Sequence, residues 1–529
     1  MSYNESAYLI LFLPITLIIY NLVSKKYRKW VLLISSYIFF GFFSGKLIFY
    51  LIISTLSIHH LGIWINHIYK SRDIEIESLD REKKKEVKQK AKHKALKVVL
   101  LGLLIHLGIL ICLKYTPFFL TNINSLFELL NIDITFEIPK FLVPIGISFY
   151  TFEALSYIID VYNEKIDADY SLMNLALYLA FFPQIMEGPI ARYNETVPEL
   201  TKCEKSSAIG IRKGLLRIGY GLIKKGVIAD RLSYIVGQIF DNYTGFDGGM
   251  IFIGAILYTI QLYTDFSGII DIVNGSSECF GIKLPENFRQ PFFSKNISEF
   301  WTRWHITLGK WFKDYIFYPI LLSKPIKKLI TFAKKHIGNT FGPILVGGIA
   351  LFCVWISNGL WHGAGWNYIF FGIYHFVLIM LGNIIDVFIK RFNEKHKINR
   401  DAWYIKFVRI IKTSFLVVIG EMFFRASDLT SGFTMFKKIF TDFSFKQFLS
   451  GELFIGNFKK FDLLMVIFTL ILIFIIGILK EKKIDVREKI ESKPFWFRWA
   501  IYYAIIAYLI LFGAYGVGYG QIDPMYANF

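Results

Sequence analysis

Long apolar runs, separated by short polar and basic connections, recur along almost the whole chain. Most are close to the roughly 20 residues that a helix needs to cross a bilayer. We therefore predict an all-α, polytopic membrane protein with roughly a dozen transmembrane helices. The predicted spans cover residues 6–23, 30–43, 47–66, 97–115, 141–162, 171–184, 250–272, 341–360, 366–387, 403–424, 463–479 and 499–517.

Two stretches are too polar to face lipid and too apolar to be open loops. Residues 209–231 alternate apolar side chains with arginine and lysine, which predicts an interfacial amphipathic helix on the cytoplasmic side. Residues 285–318 mix cations with many aromatic residues, which predicts short re-entrant helices around a central tunnel. Irregular backbone at membrane depth is tolerated only where protein or a water-filled cavity covers it.

We predict one integral-membrane domain over residues 1–529. Its core covers about residues 141–425, preceded by N-terminal spans and a basic loop in residues 1–96. Residues 426–529 supply an external segment and the C-terminal spans. The first apolar run lacks a basic flank and a cleavage site, so we expect it to be a retained span.

Composition agrees with the membrane assignment, since 54% of the 529 residues are hydrophobic and 18% are aromatic. The net charge of +19 lies mainly in the connections. That distribution indicates cytoplasmic loops and anionic membrane lipid as a partner, and no nucleic acid is needed to explain it. The basic loop 70–97 is expected in the cytoplasm and the N-terminus outside. The basic clusters 324–335, 390–400 and 480–489 should also be cytoplasmic, which places the connection after residue 360 near the outer side.

The cysteines are few and far apart, without the spacing of a metal site, so we expect packing roles and no metal. They are Cys112, Cys203, Cys279 and Cys353.

The segment SNGLWHGAGW, residues 357–366, ends one apolar run and carries the strongest chemical signal. An ionisable residue at membrane depth is costly, so His362 is a candidate functional residue. Asn358 lies four residues earlier, on the same helix face, where it could orient the imidazole or bind a substrate oxygen. The alternative is a histidine whose hydrogen bonds a neighbouring helix satisfies.

A second histidine, His305, lies within FWTRWHITLG, residues 300–309. Its aromatic and cationic neighbours would suit the wall of a buried channel. The alternative is an interfacial cluster of Trp, His and Arg that anchors lipid head groups. We expect His305 and His362 to line one cavity, with His305 nearer the cytoplasm. The residues expected to line or brace the tunnel are Trp301, Arg303, Trp304, Trp361, Trp366 and Asp265.

Several acidic residues interrupt apolar runs, where an unpaired charge would be expensive. Most should form structural ion pairs with Arg or Lys, and fewer should touch substrate. These residues are Glu153, Glu187, Asp265, Asp271 and Glu421.

Motifs for a serine nucleophile elbow, a zinc protease, a phosphate loop or a dinucleotide fold do not occur. Histidine, asparagine and a water-excluding channel suit acyl transfer to a hydroxyl, in which imidazole takes the hydroxyl proton. Two other classes stay open: a transporter or flippase of an envelope-polymer intermediate, and a structural subunit. A transporter predicts internal repeats, and none is evident.

Five ordered blocks carry a family resemblance. They are FFPQIMEGPIAR (181–192), YTDFSGIIDI (263–272), RWHITLGKWFKDYIFYPI (303–320), WHGAGW (361–366) and EMFFRA (421–426). Together they resemble the membrane-bound O-acyltransferase family, and most closely its bacterial polysaccharide branch, typified by the membrane subunit of alginate O-acetyltransferase. The C-terminal segment 519–524 lacks the aromatic-rich ending of many bacterial members, which puts partner docking in doubt.

The resemblance implies that His362 and His305 are the family's catalytic positions, with Asn358 beside them. It implies no bound cofactor and an acyl thioester, such as acetyl-CoA, as co-substrate. It further implies a bacterial inner-membrane enzyme that moves an acyl group, expected to be acetyl, toward an extracytoplasmic polysaccharide. An exported SGNH-hydrolase-like acyltransferase or a polysaccharide-synthesis complex would be the partner. D-alanyl transfer to teichoic acid is the alternative reaction, and the acceptor polymer stays open.

Overall fold

The computed structural model describes residues 3–514, and helices make up its regular structure. No strand occurs in that range, which confirms the all-α prediction. The α-helices are α1 Leu13–Leu22, α2 Lys25–Ser44, α3 Ile48–Ile76, α4 Arg81–Lys114, α5 Thr116–Leu129, α6 Ile147–Tyr162, α7 Leu172–Ala180, α8 Tyr193–Lys202, α9 Ala208–Leu222, α10 Asp230–Asp241, α11 Gly248–Cys279, α12 Ile297–Arg303, α13 Ile306–Phe312, α14 Tyr318–Leu321, α15 Lys324–Ile337, α16 Phe341–His362, α17 Trp366–Lys395, α18 Trp403–Arg425, α19 Leu429–Thr441, α20 Lys446–Leu449, α21 Lys460–Glu481, α22 Val486–Glu491 and α23 Phe495–Phe512. The π-helical segments are Ala7–Phe12, Ile223–Ala229 and Lys313–Phe317, and the 3₁₀ turns are Gly45–Leu47, Tyr243–Gly245 and Pro291–Phe293.

Within the described chain, 7 helical stretches are long and apolar enough to cross a bilayer, so the protein is a multi-pass membrane protein. They are Lys25–Ile76, Arg81–Lys114, Gly248–Cys279, Phe341–His362, Trp366–Lys395, Lys460–Glu481 and Phe495–Phe512. The predicted span 171–184 is helical only over the 9 residues of α7. Pro183 disfavours helix in the residue before it, which explains the early end. The full dozen crossings stay a prediction, and predicted residues 515–517 and 519–524 lie outside the described part.

The predicted basic loop 70–97 is mostly helix, which corrects the sequence interpretation. Helix α3 continues to Ile76 and α4 begins at Arg81, so only residues 77–80 connect them. This segment is rich in Lys, Glu and Ala, which favour helix. An ion pair one turn apart, between Glu86 and Lys90 at 2.7 Å, adds to that preference.

Internal contacts divide the described chain into two compact units. The first comprises the residues up to Gly214 together with Val273–Pro285, and the second comprises Leu215–Ile272 and the residues from Glu286 onward. A single domain over residues 1–529 stays a prediction. All residues of the candidate site belong to the second unit.

In the first unit, deeply buried polar groups are tied to backbone. The Tyr3 hydroxyl donates to the Phe182 carbonyl at 2.8 Å. Glu153, which is 3% exposed, accepts from the Gln184 side chain at 3.2 Å and from the Ala191 amide at 3.3 Å. These bonds hold the PQIMEGPIAR connection against α6, which gives Glu153 a structural role.

In the second unit, glycines bring α16 and α17 into close contact. A Cβ on Gly359 would lie 2.4 Å from the Tyr368 carbonyl oxygen, and one on Gly372 would lie 2.3 Å from that of Trp355. Any larger residue at either position would push the two helices apart. Gly359 and Gly372 therefore fix the position of α16, the helix that carries Asn358 and His362.

Residues 209–231 are helical as predicted, but their cations do not form an open interfacial surface. Arg217, Lys224, Lys225 and Arg231 are 1–7% exposed and pair with carboxylates. Arg231, for example, pairs with Asp462 of α21. Buried cations are stable only when paired in this way, so residues 215–231 belong to the interior of the second unit.

The cysteines are free in the described chain, and only part of their packing prediction holds. Cys203 and Cys279 are buried, and Cys353 is half-buried. Cys112 is exposed on α4, so packing does not explain it.

Candidate active site

His305 lies at the break between α12 and α13, within the short helices predicted for residues 285–318. Its φ angle is +45°, in the left-handed region that non-glycine residues rarely adopt. The sharp turn places the ring inside the protein, where the residue is 2% exposed. A backbone held in a sparsely populated region is more common at functional sites than elsewhere.

The tautomer of His305 follows from its contact with Asn287. The Asn287 side-chain oxygen accepts from the Thr307 backbone amide at 3.1 Å and from the Thr307 hydroxyl at 3.0 Å. Because a backbone N–H only donates, the atom facing it must be the oxygen. That oxygen lies 3.2 Å from Nδ1 of His305, so Nδ1 carries the proton and Nε2 carries a lone pair. Burial lowers the pKa of His305 to about 3, which keeps the ring neutral at physiological pH.

His362 is joined to His305 through one indole ring. The Trp361 ring centroid lies 5.4 Å from that of His305 and 5.0 Å from that of His362. His362 is 3% exposed, and its other ring neighbours are Phe424 at 5.2 Å and Phe371 at 6.0 Å. The two histidines, 57 residues apart in sequence, therefore belong to one buried aromatic cluster.

Asn358 shares a cavity with His305. This histidine cavity has a volume of about 50 Å³ and is lined by Trp301, His305, Leu308, Gly309, Phe312, Val354, Trp355 and Asn358. Asn358 is 6% exposed, and its side-chain oxygen has no hydrogen-bond partner among the described residues. A buried amide that no protein group satisfies costs about 1–3 kcal/mol, so this oxygen is suited to bind a substrate group.

Three of the four predicted tryptophans pack near the histidines, and the fourth, Trp366, is exposed. Trp301 lines the histidine cavity, and Trp361 separates the two imidazoles. Trp304 is 3% exposed and packs on Phe288 with centroids 5.1 Å apart. Trp366 begins α17 with 55% of its surface exposed.

The two charged tunnel candidates form ion pairs. Arg303 pairs with Glu299 at 2.9 Å and with Glu481 at 2.5 Å. Asp265 lies 2.8 Å from the Lys225 ammonium. This places both residues in interactions within the protein, in agreement with the structural role expected for most buried charges.

A third histidine of this site, His375, was missed in the sequence. It lies on α17 and is fully buried. The Trp301 indole N–H, which can only donate, lies 3.2 Å from Nδ1 of His375. The His375 ring also stacks on Trp355 at 5.4 Å, so it braces two walls of the histidine cavity. His375 could have been identified in the sequence, because it is an ionisable residue within the apolar run 366–387.

Asn287 was also missed, and no local signal marks it. It is 18 residues from His305 in sequence, and only the fold brings the two side chains together. Among residues 3–514, no group of three or more His, Cys, Asp or Glu side chains is arranged to hold a metal ion.

The family model for MBOAT, the membrane-bound O-acyltransferase family, matches residues 34–419. The match begins well before the predicted core of 141–425 and ends close to it. It contains both His305 and His362.

Three curated relatives illustrate the range of similar proteins. A probable alginate O-acetylase of Pseudomonas aeruginosa is 31% identical over 444 residues, which cover 83% of this chain and 75% of the relative. A peptidoglycan O-acetyltransferase of Helicobacter pylori is 31% identical over 367 residues, 64% of each chain. A teichoic acid D-alanyltransferase of Bacillus subtilis is 30% identical over 284 residues, 53% of this chain and 68% of the relative.

Proposed function

The chain belongs to the membrane-bound O-acyltransferase family, and from this premise we propose that it transfers acetyl groups from a cytoplasmic thioester toward an extracytoplasmic polysaccharide. Acetyl-CoA is the proposed donor, and the proposed location is a bacterial inner membrane. The observation that carries the proposal is the pair of buried histidines on the Trp361 ring, one of them with a fixed neutral tautomer.

In the proposed step, a hydroxyl oxygen attacks the carbonyl carbon of the thioester while His362 accepts the hydroxyl proton. The new C–O bond forms, the C–S bond breaks, and the proton passes to the departing sulfur, which leaves as a thiol. General-base catalysis of this kind contributes about 10²–10⁴ in rate. His305 presents its Nε2 lone pair to a polar group of the substrate, and Asn358 supplies an amide beside it. A central tunnel would bring the donor and the acceptor to these residues.

The relatives support acetyl more than D-alanyl as the group transferred. The probable alginate O-acetylase aligns with 83% of the chain, whereas the D-alanyltransferase of Bacillus subtilis aligns with 53%. Polysaccharide hydroxyls are the proposed acceptors, and the particular polymer stays open. The chain lacks a serine-nucleophile motif of its own, which supports an exported SGNH-hydrolase-like acyltransferase as the partner that completes transfer.

Inverted membrane vesicles test the reaction, because they expose the cytoplasmic face to added donor. Vesicles that carry the wild-type protein and enclose the producing strain's polymer and exported partner should convert acetyl-labelled CoA into polymer-bound ester that hydroxylamine releases. Vesicles with His362→Ala, at equal protein level, should not. Label transferred only from a D-alanyl carrier thioester would contradict acetyl transfer. Movement of unacylated polymer intermediate at the wild-type rate by His362→Gln would instead indicate a transporter.

Removal of the exported partner tests whether the membrane protein needs it to acetylate the polymer. Without it, the membrane protein should still consume acetyl-CoA in the presence of a small hydroxyl acceptor, while polymer acetylation is lost. Unchanged polymer acetylation in that strain would show that the membrane protein acts alone.

A further inference from the structure

A second and larger cavity lies in the second unit, with a volume of about 270 Å³. We call it the lysine cavity, since Lys224 and Lys480 lie at its polar end. The other polar residues of its wall are Tyr220, Tyr263, Ser267, Asp271, Glu286 and Gln290. Its apolar wall includes Ile260, Phe292, Phe293, Leu470, Ile473 and Phe474. Neither candidate catalytic histidine lines it, so it is separate from the histidine cavity.

The polar end carries an excess of positive charge. Asp271 pairs with Arg217 at 2.9 Å and with Lys224 at 2.5 Å, and Glu286 pairs with Arg217 at 2.5 Å. Three cations thus face two carboxylates. The third cation, Lys480, forms no ion pair with any described residue, and its ammonium lies 5.0 Å from the centre of the Tyr220 ring. One negative charge from outside the protein would balance the group.

The cavity is polar at one end and apolar at the other. This is the order expected of a site that extends from the membrane surface into the hydrocarbon region. Lys480 lies in the last turn of α21, which is one of the helices able to span the membrane. Phe474 and Leu470 lie about two and three turns earlier on the same helix, toward the hydrocarbon. Gly477 lies between Phe474 and Lys480, and a Cβ there would be 3.4 Å from the Phe293 ring, so its lack of a side chain keeps the cavity open.

We propose that the lysine cavity binds an anionic phospholipid, with the phosphate between Lys480 and Lys224 and one acyl chain along Phe292, Leu470 and Phe474. Basic pockets between transmembrane helices on the cytoplasmic side are suited to anionic lipid head groups. A zwitterionic lipid carries a positively charged group beside its phosphate. The cations of the cavity would repel that group, so such a lipid should bind less well. The acyl donor also carries phosphate on a linear arm, so the test must separate the two.

Native mass spectrometry of the purified full-length protein measures this binding directly. In micelles with equal amounts of phosphatidylglycerol and phosphatidylcholine, the wild type should retain one phosphatidylglycerol in preference. Lys480→Gln should reduce that retention about fivefold, the effect of one lysine near an anionic head group. Lys482→Gln is the matched control, because Lys482 is exposed, belongs to the same basic cluster and lies outside the cavity wall. It should retain phosphatidylglycerol as the wild type does.

Gly477→Leu tests the apolar part of the cavity. The added side chain fills the space beside Phe293, so this variant should retain neither lipid in a specific manner. Equal retention of the two lipids by the wild type, or wild-type retention of phosphatidylglycerol by Lys480→Gln, would overturn the proposal. Displacement of phosphatidylglycerol by acetyl-CoA at equal concentration would overturn it in favour of the donor. If Gly477→Leu does not fold, the Lys480 and Lys482 variants still decide. These measurements need no acyl transfer, so their outcome is independent of the proposed function.

Discussion

Two groups of buried polar residues in the second unit differ in how the protein satisfies them. In the charged cluster, the Lys225 ammonium lies 2.7 Å from Asp230 and 2.8 Å from Asp265. At the candidate active site, His305 and His362 contact one indole, and burial keeps the His305 imidazole neutral. The polar groups of the charged cluster pair with one another, whereas the candidate site places a neutral imidazole and the Asn358 amide beside a cavity.

This comparison separates structural from chemical roles where sequence alone does not. Both groups consist of ionisable residues within or beside apolar runs, and the same rule identifies both as candidates. Asp265 was therefore predicted as part of the tunnel. Its ion pair with Lys225 shows a structural contact, and its place in the tunnel stays a prediction.

The largest effect is expected for His362. His362→Ala should lower acyl transfer about 10²–10⁴-fold, because the general base is lost while the protein stays folded. His362→Gln should be equally inactive, since an amide cannot accept the proton. The measurement is acylated polymer in cells with matched membrane levels of each variant. Near-normal acylation by His362→Ala would remove this residue from the chemistry.

Lys225→Met should instead act on folding. It leaves two carboxylates buried without their cation, which costs about 3–5 kcal/mol. We expect little folded protein after detergent extraction, measured by size-exclusion chromatography, and no acylation for that reason alone. The exposed Lys482→Met is the control. Adding Asp265→Asn to Lys225→Met should recover folded protein, and failure to recover any would argue against the compensated-charge interpretation.

Asn287 is expected to be a positioning residue of the candidate site, since its side chain contacts His305. Asn287→Ala frees Nδ1 to lose its fixed proton, and we expect a decrease of about 10–100-fold in kcat, as for other residues that orient a functional side chain. Asn287→Asp keeps the acceptor oxygen and should recover part of the activity, with a lower melting temperature because its carboxylate is buried. Asn296→Ala, which removes the N-cap of α12, is the control and should lower stability more than kcat. Equal kcat values for Asn287→Ala and the wild type would show that the tautomer does not matter.

Much of the fold and part of the site could be predicted from local pattern. Apolar runs and helix-favouring residues are local properties, so the all-α class and the short helices of 285–318 followed from them. His305, His362 and Asn358 could be identified because burial of polar groups is costly wherever it occurs. The contacts of Asn287, His375 and Lys225 depend on which helices pack together. Trp366 illustrates the same limit of sequence reasoning, because its motif does not show whether the tryptophan is buried or exposed.

The smallest effect tests how well the charged cluster is balanced. Burial raises the pKa of Asp230 to about 6, against the lowering effect of Lys225, and the nearby Asp265 adds to the rise. A raised folded-state pKa means that this carboxyl stabilises the fold when protonated, below about pH 4. That contribution is lost as the pH rises through 6. Asp230→Asn mimics the protonated form, so at pH 7.5 its melting temperature should exceed that of the wild type by a few degrees. The difference should vanish near pH 4, and the exposed Asp442→Asn should show none at either pH. A lower melting temperature for Asp230→Asn at pH 7.5 would mean that Lys225 needs both carboxylates ionised. The charge of Lys225 would then be balanced by Asp230 and Asp265 together, and not by one of them.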